Sequence, residues 1–319
     1  MKSFRNTITS MNLKDISRLD EKGARDYFER MRWPDGPACV HCAETVVTRL
    51  GGKAGERGLF KCRACRKKFS VTQGTIFEKS HIPMRTWLMA FAIMCSSKKG
   101  QSALQLQRSL GLGSYESAWF MAHRIRRVMR GEPLQRLMSG TIEADEMYVG
   151  GKPRYRGKYS GGRRIGPPLT LKTPVVTIAE RGGELRAFCM ERVTAKNLRA
   201  VLAQHVDFGS RLMTDELKLY ETVGKQFGGG HEAVEHSAYE FARKPDAHVN
   251  TCESFHALMR RGLHGAFHHV SRKHLSAYVG EFQQRWNTRK ATDSERLEGL
   301  VESADGKRMT YAQLVGHTE

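Results

Sequence analysis

Acidic residues are scarce relative to basic ones in this chain: 33 Asp and Glu against 53 Lys and Arg over 319 residues, a formal net charge of +20. That deficit argues against a positively charged partner and points to one dense in phosphate, a nucleic acid first of all. Long apolar runs are also missing. The longest, residues 87–95, falls far short of the roughly 20 needed to span a bilayer, and no signal-peptide pattern opens the sequence. The expectation is a cytoplasmic protein with no membrane partner. Cysteine is sparse too, with seven in all. In a reducing compartment these do not form a disulfide framework. Cys95, Cys189 and Cys252 stand alone and read as ordinary thiols, whereas Cys39/Cys42 and Cys62/Cys65 form two Cys-x-x-Cys knuckles.

Nineteen residues separate Cys42 from Cys62, a spacing that suits a four-cysteine zinc ribbon. Four thiolates close a tetrahedral shell around one Zn2+ and leave no open position, so the expected site is structural. So small a module lacks a sufficient core, and zinc binding, on the order of 10 kcal/mol, supplies its stability. Short strands are expected at 46–50 and 58–61, with Phe60 and Phe69 covering the metal. Basic residues crowd the second knuckle: Lys61, Arg63, Arg66, Lys67 and Lys68.

Three helices should follow, at 85–97, 102–110 and 115–129, with the turn GLGS at 111–114 and Ser114 as an N-cap. The last two resemble a helix-turn-helix, in which Arg124, Arg126 and Arg127 are candidate DNA contacts. A helical hairpin with a solvated basic face fits the same pattern.

Beyond Gly140 the periodicity changes from helical to alternating. TIEADEMYV (141–149), TPVVTIAE (173–180) and ELRAFCMERV (184–193) read as strands, AKNLRAVLAQHV (195–206) as a helix and SRLMTDE (210–216) as a fourth strand, an α/β arrangement. Asp145 lies within the first strand and Asp215 at the end of the fourth. Neighbouring ionised carboxylates need a neutralising cation, and oxygen-only ligation suits Mg2+ or Mn2+. A third ligand is expected on the helix after Val249, where Asn250, Glu253 and Arg260 share a face. Glu143, Glu146, Glu216 and Asp246 are nearby acids, and Glu143 shares a strand face with Asp145. Residues 150–172 hold six glycines, seven Lys or Arg and no acid, with Tyr155 and Tyr159 interleaved, a composition suited to ordering on DNA. The basic, histidine-rich stretch holding His264, His268, His269 and His274 reads as DNA-facing or packing, and Tyr278, Phe282 and Trp286 as core.

RWPDGPACVHC, CRACRKKFSVTQGTIFEKSHIP, IEADEMYVGGK, MTDELKLY and HVNTCESFHALMRRGLHGAFHHVSRKHL, in that order, resemble the ISXO-type transposases of bacterial insertion sequences. The resemblance implies an α/β fold, an RNase-H-like mixed-sheet catalytic domain preceded by a zinc ribbon and a helical helix-turn-helix segment. The implied plan is an N-terminal helical segment at 1–34, the ribbon at 35–76, the helices at 77–139, the catalytic domain at 140–290 with its insertion at 150–172, and a tail at 291–319. It also implies a metal site of two aspartates, Asp145 and Asp215, with Glu253 as the third ligand and Asn250 as its rival. Where the family usually has Lys on the third-ligand helix, this chain has Arg260, whose planar fork is not equivalent to an ammonium.

The activity implied is metal-dependent strand cleavage and strand transfer by two Mg2+ or Mn2+ ions, on double-stranded DNA comprising terminal inverted repeats and a target, by a homo-oligomer. Expected DNA contacts are Arg260, Arg124, Arg127, Lys152, Arg163 and Arg164. Two other classes fit part of the pattern: a DNA-binding regulator with an inactive nuclease-like body, and a nuclease acting on RNA or hybrids, which leaves the ribbon unexplained.

Overall fold

Helix-capping side chains and apolar residues spaced three and four apart organise the first part of the chain. The computed structural model describes residues 11–131, 136–151, 159–160, 163–164, 172–234 and 247–316. It divides into one unit of residues 1–131 and 288–319 and another of 132–287.

In the first unit, Asn12 caps α1 (Leu13–Arg18) and Asp20 caps α2 (Glu21–Arg32). The α2 stripe of Ala24, Tyr27, Phe28 and Met31 is buried. Next comes a three-stranded antiparallel ribbon, β1 (Val47–Arg49), β2 (Phe60–Cys62) and β3 (Lys68–Phe69), with the short α3 (Gly52–Glu56) between its first two strands. The four knuckle thiols converge within 4.8 Å of one another, with Cys39 and Cys65 sulfurs 3.6 Å apart and those of Cys42 and Cys62 likewise 3.6 Å. A tetrahedral shell of Zn–S bonds of ~2.3 Å requires a sulfur separation of roughly 3.8 Å, so the cluster has the right size for one zinc ion. Both knuckles turn the same way: the residue after the second cysteine, Ala43 or Arg66, sits in the left-handed region at φ 59°. Trp33 packs edge-on against Phe60 and Phe69, and together these rings cover the cluster.

The helices then run α4 (Met84–Ser96), α5 (Ala103–Leu110) and α6 (Tyr115–Met129). Gly111 ends α5 at φ 63°, a conformation that costs a side chain about 1–2 kcal/mol, and Ser114 caps α6 by accepting from the Ser117 amide. This is the expected helix–turn–helix, but not all of its arginines face outward. Arg127 is exposed, while Arg124 and Arg126 are buried. The Arg124 guanidinium lies 4.3 Å over the Phe120 ring and reaches the Glu78 carbonyl. In this fold Arg124 is therefore a buried packing residue, its guanidinium held between the Phe120 ring and the Glu78 carbonyl instead of projecting from the helix surface.

Of the segment 291–319, expected as a tail, the described residues 291–316 also pack in this unit. Thr292 and Glu295 form a capping box at the start of α11 (Asp293–Glu302), whose Leu297, Leu300 and Val301 join the core of α2 and α4. Asp305 pairs with Arg32 at 2.7 Å, and α12 (Tyr311–Val315) follows.

The second unit is built on a five-stranded mixed sheet. Its strands are β4 (Thr141–Val149), β7 (Thr173–Glu180), β8 (Leu185–Cys189), β9 (Arg211–Asp215) and β10 (His231–Val234), in spatial order β10-β9-β4-β7-β8. The first three in sequence pair antiparallel, and β9 and β10 run parallel to β4, the RNase-H-like arrangement. On one face Ile142, Ala144 and Val176 pack against α7 (Ala195–His205) and α8 (Lys218–Gly224). On the other, Met147, Val175 and Ala179 pack against α9 (Asn250–Gly262) and α10 (Leu275–Asn287). Phe282 is fully buried, Tyr278 nearly so, and Trp286 packs against the same cluster. In the insertion, β5 (Tyr159–Ser160) pairs with β6 (Arg163–Arg164). Lys152, Tyr155 and Asp246 lie outside the described residues, as do the side chains of Arg163 and Arg164.

Replacing Cys39 or Cys62 by Ala should abolish the zinc content of the purified chain, measured by elemental analysis, and remove the near-ultraviolet signal of Trp33. Arg124→Ala should cost about 1–2 kcal/mol in denaturant unfolding through loss of the buried ring contact. Arg127→Ala should leave stability unchanged.

Candidate active site

The pairing of β4 with β9 sets the position of the acids. Parallel register aligns Ala144 with Thr214, so Asp145 and Asp215 come next, side by side at the end of the pairing. Carboxylate oxygens of Asp145, Asp215 and Glu146 all lie within 4.8 Å of one another. Local hydrogen bonds fix two of these side chains: Asp145 Oδ1 accepts from the Glu146 amide at 2.7 Å, and Asp215 Oδ1 from the Leu217 amide at 3.2 Å. Glu146 points to the α8 side, where the buried Tyr220 hydroxyl donates to it at 3.3 Å. Burial, then the charges of Asp215 and Asp145, pushes Glu146 up to about 7. Burial and the same carboxylates push Tyr220 well above its ordinary value, which keeps it a donor. Three oxygen donors this close are unfavourable on their own and complementary to a hard divalent cation.

Glu143, two residues before Asp145 and on the same strand face, serves a different purpose. It is fully buried and accepts from the amides of Thr251 and Cys252 at 2.7 and 3.3 Å, the Thr251 hydroxyl at 3.0 Å and Arg181 Nε at 2.7 Å. His248 Nδ1 stands 3.3 Å away. A carboxylate from the central strand thus caps the N-terminus of α9, where the exposed amides and the helix dipole favour negative charge. Its lone pairs are consumed, and it is not a metal-ligand candidate.

The first turn of α9 carries both candidates for the third ligand. Asn250 and Glu253 are exposed, and Glu253 does not belong to the group of three carboxylates within 4.8 Å. Arg260, two turns further on, is also exposed. His231, on β10, bonds the Thr214 hydroxyl at 2.9 Å and supports the strand that ends in Asp215. Among the described residues, the His264–His274 stretch forms no metal-binding group.

Comparison with known proteins agrees with this geometry. The ISXO2-like transposase domain matches residues 137–287, nearly the whole second unit, and the transposase zinc-ribbon domain matches residues 19–68, including all four knuckle cysteines. Residues 19–68 and 137–287 therefore carry the zinc-ribbon and catalytic domains of the ISXO2-like transposases. The transposase is 29% identical over 296 residues to an uncharacterized protein in transposable element ISH50 of Halobacterium salinarum, covering 90% of this chain and 97% of that one. Two solved structures, a pre-cleavage Mos1 transpososome and the Mos1 strand transfer complex, are 15% and 13% identical to it over 70% of the chain and 80% and 79% of theirs. Their TM-scores are 0.26 and 0.28, too low to bear on the fold.

Glu146, one of the nearby acids in the sequence, joins the acidic group of this transposase although strand alternation turns it to the opposite face from Asp145. At the end of the β4–β9 pairing both faces converge, and the adjacent pair EADE was the available signal. Glu143→Ala should cost roughly 3–5 kcal/mol, the loss expected when one partner is removed from a buried, charge-paired network. Hydrogen exchange should show the amides of Thr251 and Cys252 losing protection before those of β7.

Proposed function

We propose that this transposase binds the terminal inverted repeats of its insertion sequence and carries out strand cleavage and strand transfer at the Asp145–Asp215 site. The supporting observation is the side-by-side placement of these two aspartates on neighbouring parallel strands, with a third carboxylate within 4.8 Å. Two Mg2+ or Mn2+ ions bound there would supply Lewis-acid stabilisation of the attacking and departing oxygens of a phosphodiester. Asp145 and Asp215 would hold the cations from the sheet and Glu253 from α9, with Asn250 its rival and Glu146 a further donor. Water attack breaks the P–O3′ bond at the element end and frees a 3′-hydroxyl. That hydroxyl then attacks a target phosphodiester, exchanging one P–O bond for another without a covalent enzyme intermediate. The protein's share is positioning.

DNA contacts are assigned to Arg127 and Arg260, both exposed, and to the basic insertion with Lys152, Arg163 and Arg164. The zinc ribbon at 35–76 and the helices at 77–139 form the DNA-binding head, α11 adds to its core, and the catalytic domain occupies 140–290. The net charge of +20 supports double-stranded DNA as the partner, and a homo-oligomer engages the two element ends. No helix among the described residues is long and apolar enough to cross a membrane, which fits a cytoplasmic protein.

With Mg2+ or Mn2+ and a DNA duplex carrying the element end, the wild type should cleave, and Asp145→Asn and Asp215→Asn should each lose at least ~10²-fold in rate. Both variants should retain DNA affinity in a gel-shift assay. Undiminished cleavage by Asp145→Asn would instead favour a DNA-binding regulator. Comparing Glu253→Gln, Asn250→Ala and Glu146→Gln identifies the third ligand as the position whose variant loses turnover.

A further inference from the structure

One buried side chain touching the acidic site has no place in the account above. His256 lies on α9, three residues beyond Glu253, and is 2% exposed. Its Nδ1 stands 3.3 Å from Asp145 Oδ2, and its Nε2 is 2.9 Å from the hydroxyl of Thr177. Thr177 is fully buried on β7 and is the register partner of Asp145 across the β4–β7 pairing. Both ring nitrogens are therefore engaged, one by the aspartate and the other by that aspartate's own cross-strand neighbour.

The chemistry gives this chain of contacts a direction. An ionised carboxylate only accepts, so the proton faces Asp145 on Nδ1, and the lone pair of Nε2 takes the Thr177 hydroxyl hydrogen. Asp145 thus selects the tautomer, the Thr177 hydroxyl complements it at the other nitrogen, and His256 presents an N–H to one oxygen of Asp145. The other oxygen is held by the Glu146 amide. With an amide on one oxygen and the His256 ring nitrogen 3.3 Å from the other, the carboxylate of Asp145 is held between two groups and lone pairs remain on both oxygens. Glu143, whose lone pairs are all occupied, is the contrast on the same strand face.

Resting on the reading of Asp145 as a metal ligand, we propose that His256 is a positioning residue, its Nδ1–H holding the Asp145 carboxylate in the orientation that binds the divalent cation. Partners that orient a ligating carboxylate are typically worth 10–100-fold in metal affinity. Because Glu253 lies one helical turn away, the docking of α9 that places His256 also sets the candidate third ligand relative to the sheet.

The test is Mn2+ binding to the full-length zinc-loaded protein, followed by the electron paramagnetic resonance signal of free Mn2+, with thermal unfolding in parallel. Asp145→Asn should abolish tight binding. His256→Gln, whose amide reaches toward the Nε2 position and leaves Asp145 without its donor, should weaken binding by about 10–100-fold. His256→Asn, whose amide N–H falls near the position of Nδ1–H, should restore affinity close to wild type. Thr177→Val keeps the packing volume and removes the hydroxyl, so it should weaken binding severalfold. It also provides a second measure if the Gln variant fails to fold. Wild-type affinity in both His256→Gln and Thr177→Val, or equal losses in the Gln and Asn variants that track their melting temperatures, would overturn the proposal. Unchanged Mn2+ binding in Asp145→Asn would instead remove the ligand reading itself, and the role of His256 with it.

Discussion

Three carboxylates within 4.8 Å of one another repel, and partial burial strengthens that repulsion. The sheet holds them together regardless. Backbone hydrogen bonds between β4 and β9 fix where Asp145 and Asp215 begin, and one amide fixes each side chain. The crowding shows in Glu146, pushed up to about 7 by burial and its two neighbours. A cation relieves this energy. It also resolves a conflict of charge, because a chain of net +20 attracts the DNA backbone while its acidic site repels the phosphate that must react. Divalent ions between carboxylate and phosphate would reconcile the two.

Glu143 and Asp145 lie two residues apart on one strand face, and what separates their roles is the number of donors around each. A carboxylate offers about four acceptor positions. Two amides, a hydroxyl and a guanidinium fill those of Glu143, with His248 alongside. Asp145 has one backbone amide and the contact with His256. The first residue is committed to joining α9 to the sheet, the second keeps lone pairs for a ligand, and the acceptor capacity of the isolated carboxylates does not distinguish them. Structural anchoring of the helix and chemistry at the sheet are thus done by neighbours on the same strand.

That distinction also explains what the sequence revealed and what it hid. Alternation in TIEADEMYV and TPVVTIAE locates β4 and β7 to the residue, and Ser114 and Gly111 mark the helical turn, because strand pleat and helix caps are local properties. The knuckle spacing likewise specifies the cysteine cluster. Hidden were the features made by distant partners. The capping of α9 spans more than a hundred residues, and the burial of Arg124 depends on the Glu78 carbonyl. The docking of α11 depends on the core of α2 and α4, although its apolar spacing at 297, 300 and 301 was present in the sequence. Charge marks a residue as polar and says nothing of whether its partner is solvent, DNA or the protein's own backbone.

The zinc ribbon extends the same reasoning from acids to bases. Its apolar cluster consists of little more than Trp33, Phe60, Phe69 and the cysteines, and both knuckles require a left-handed residue that is not glycine. Each such residue costs about 1–2 kcal/mol, which so small a core does not offset without metal. On the outer face of the ribbon, register places Thr48, Lys61 and Lys68 in one row across the three strands, all exposed. Neighbouring strands are ~4.8 Å apart, so the two ammonium groups are carried at a spacing fixed by the fold. A metal that closes the thiolate cluster therefore also sets the spacing of charges on the opposite side of the same sheet. Zinc in the head and the placement of its exposed lysines are physically linked, although the ion and the ammonium groups lie on opposite sides of the sheet.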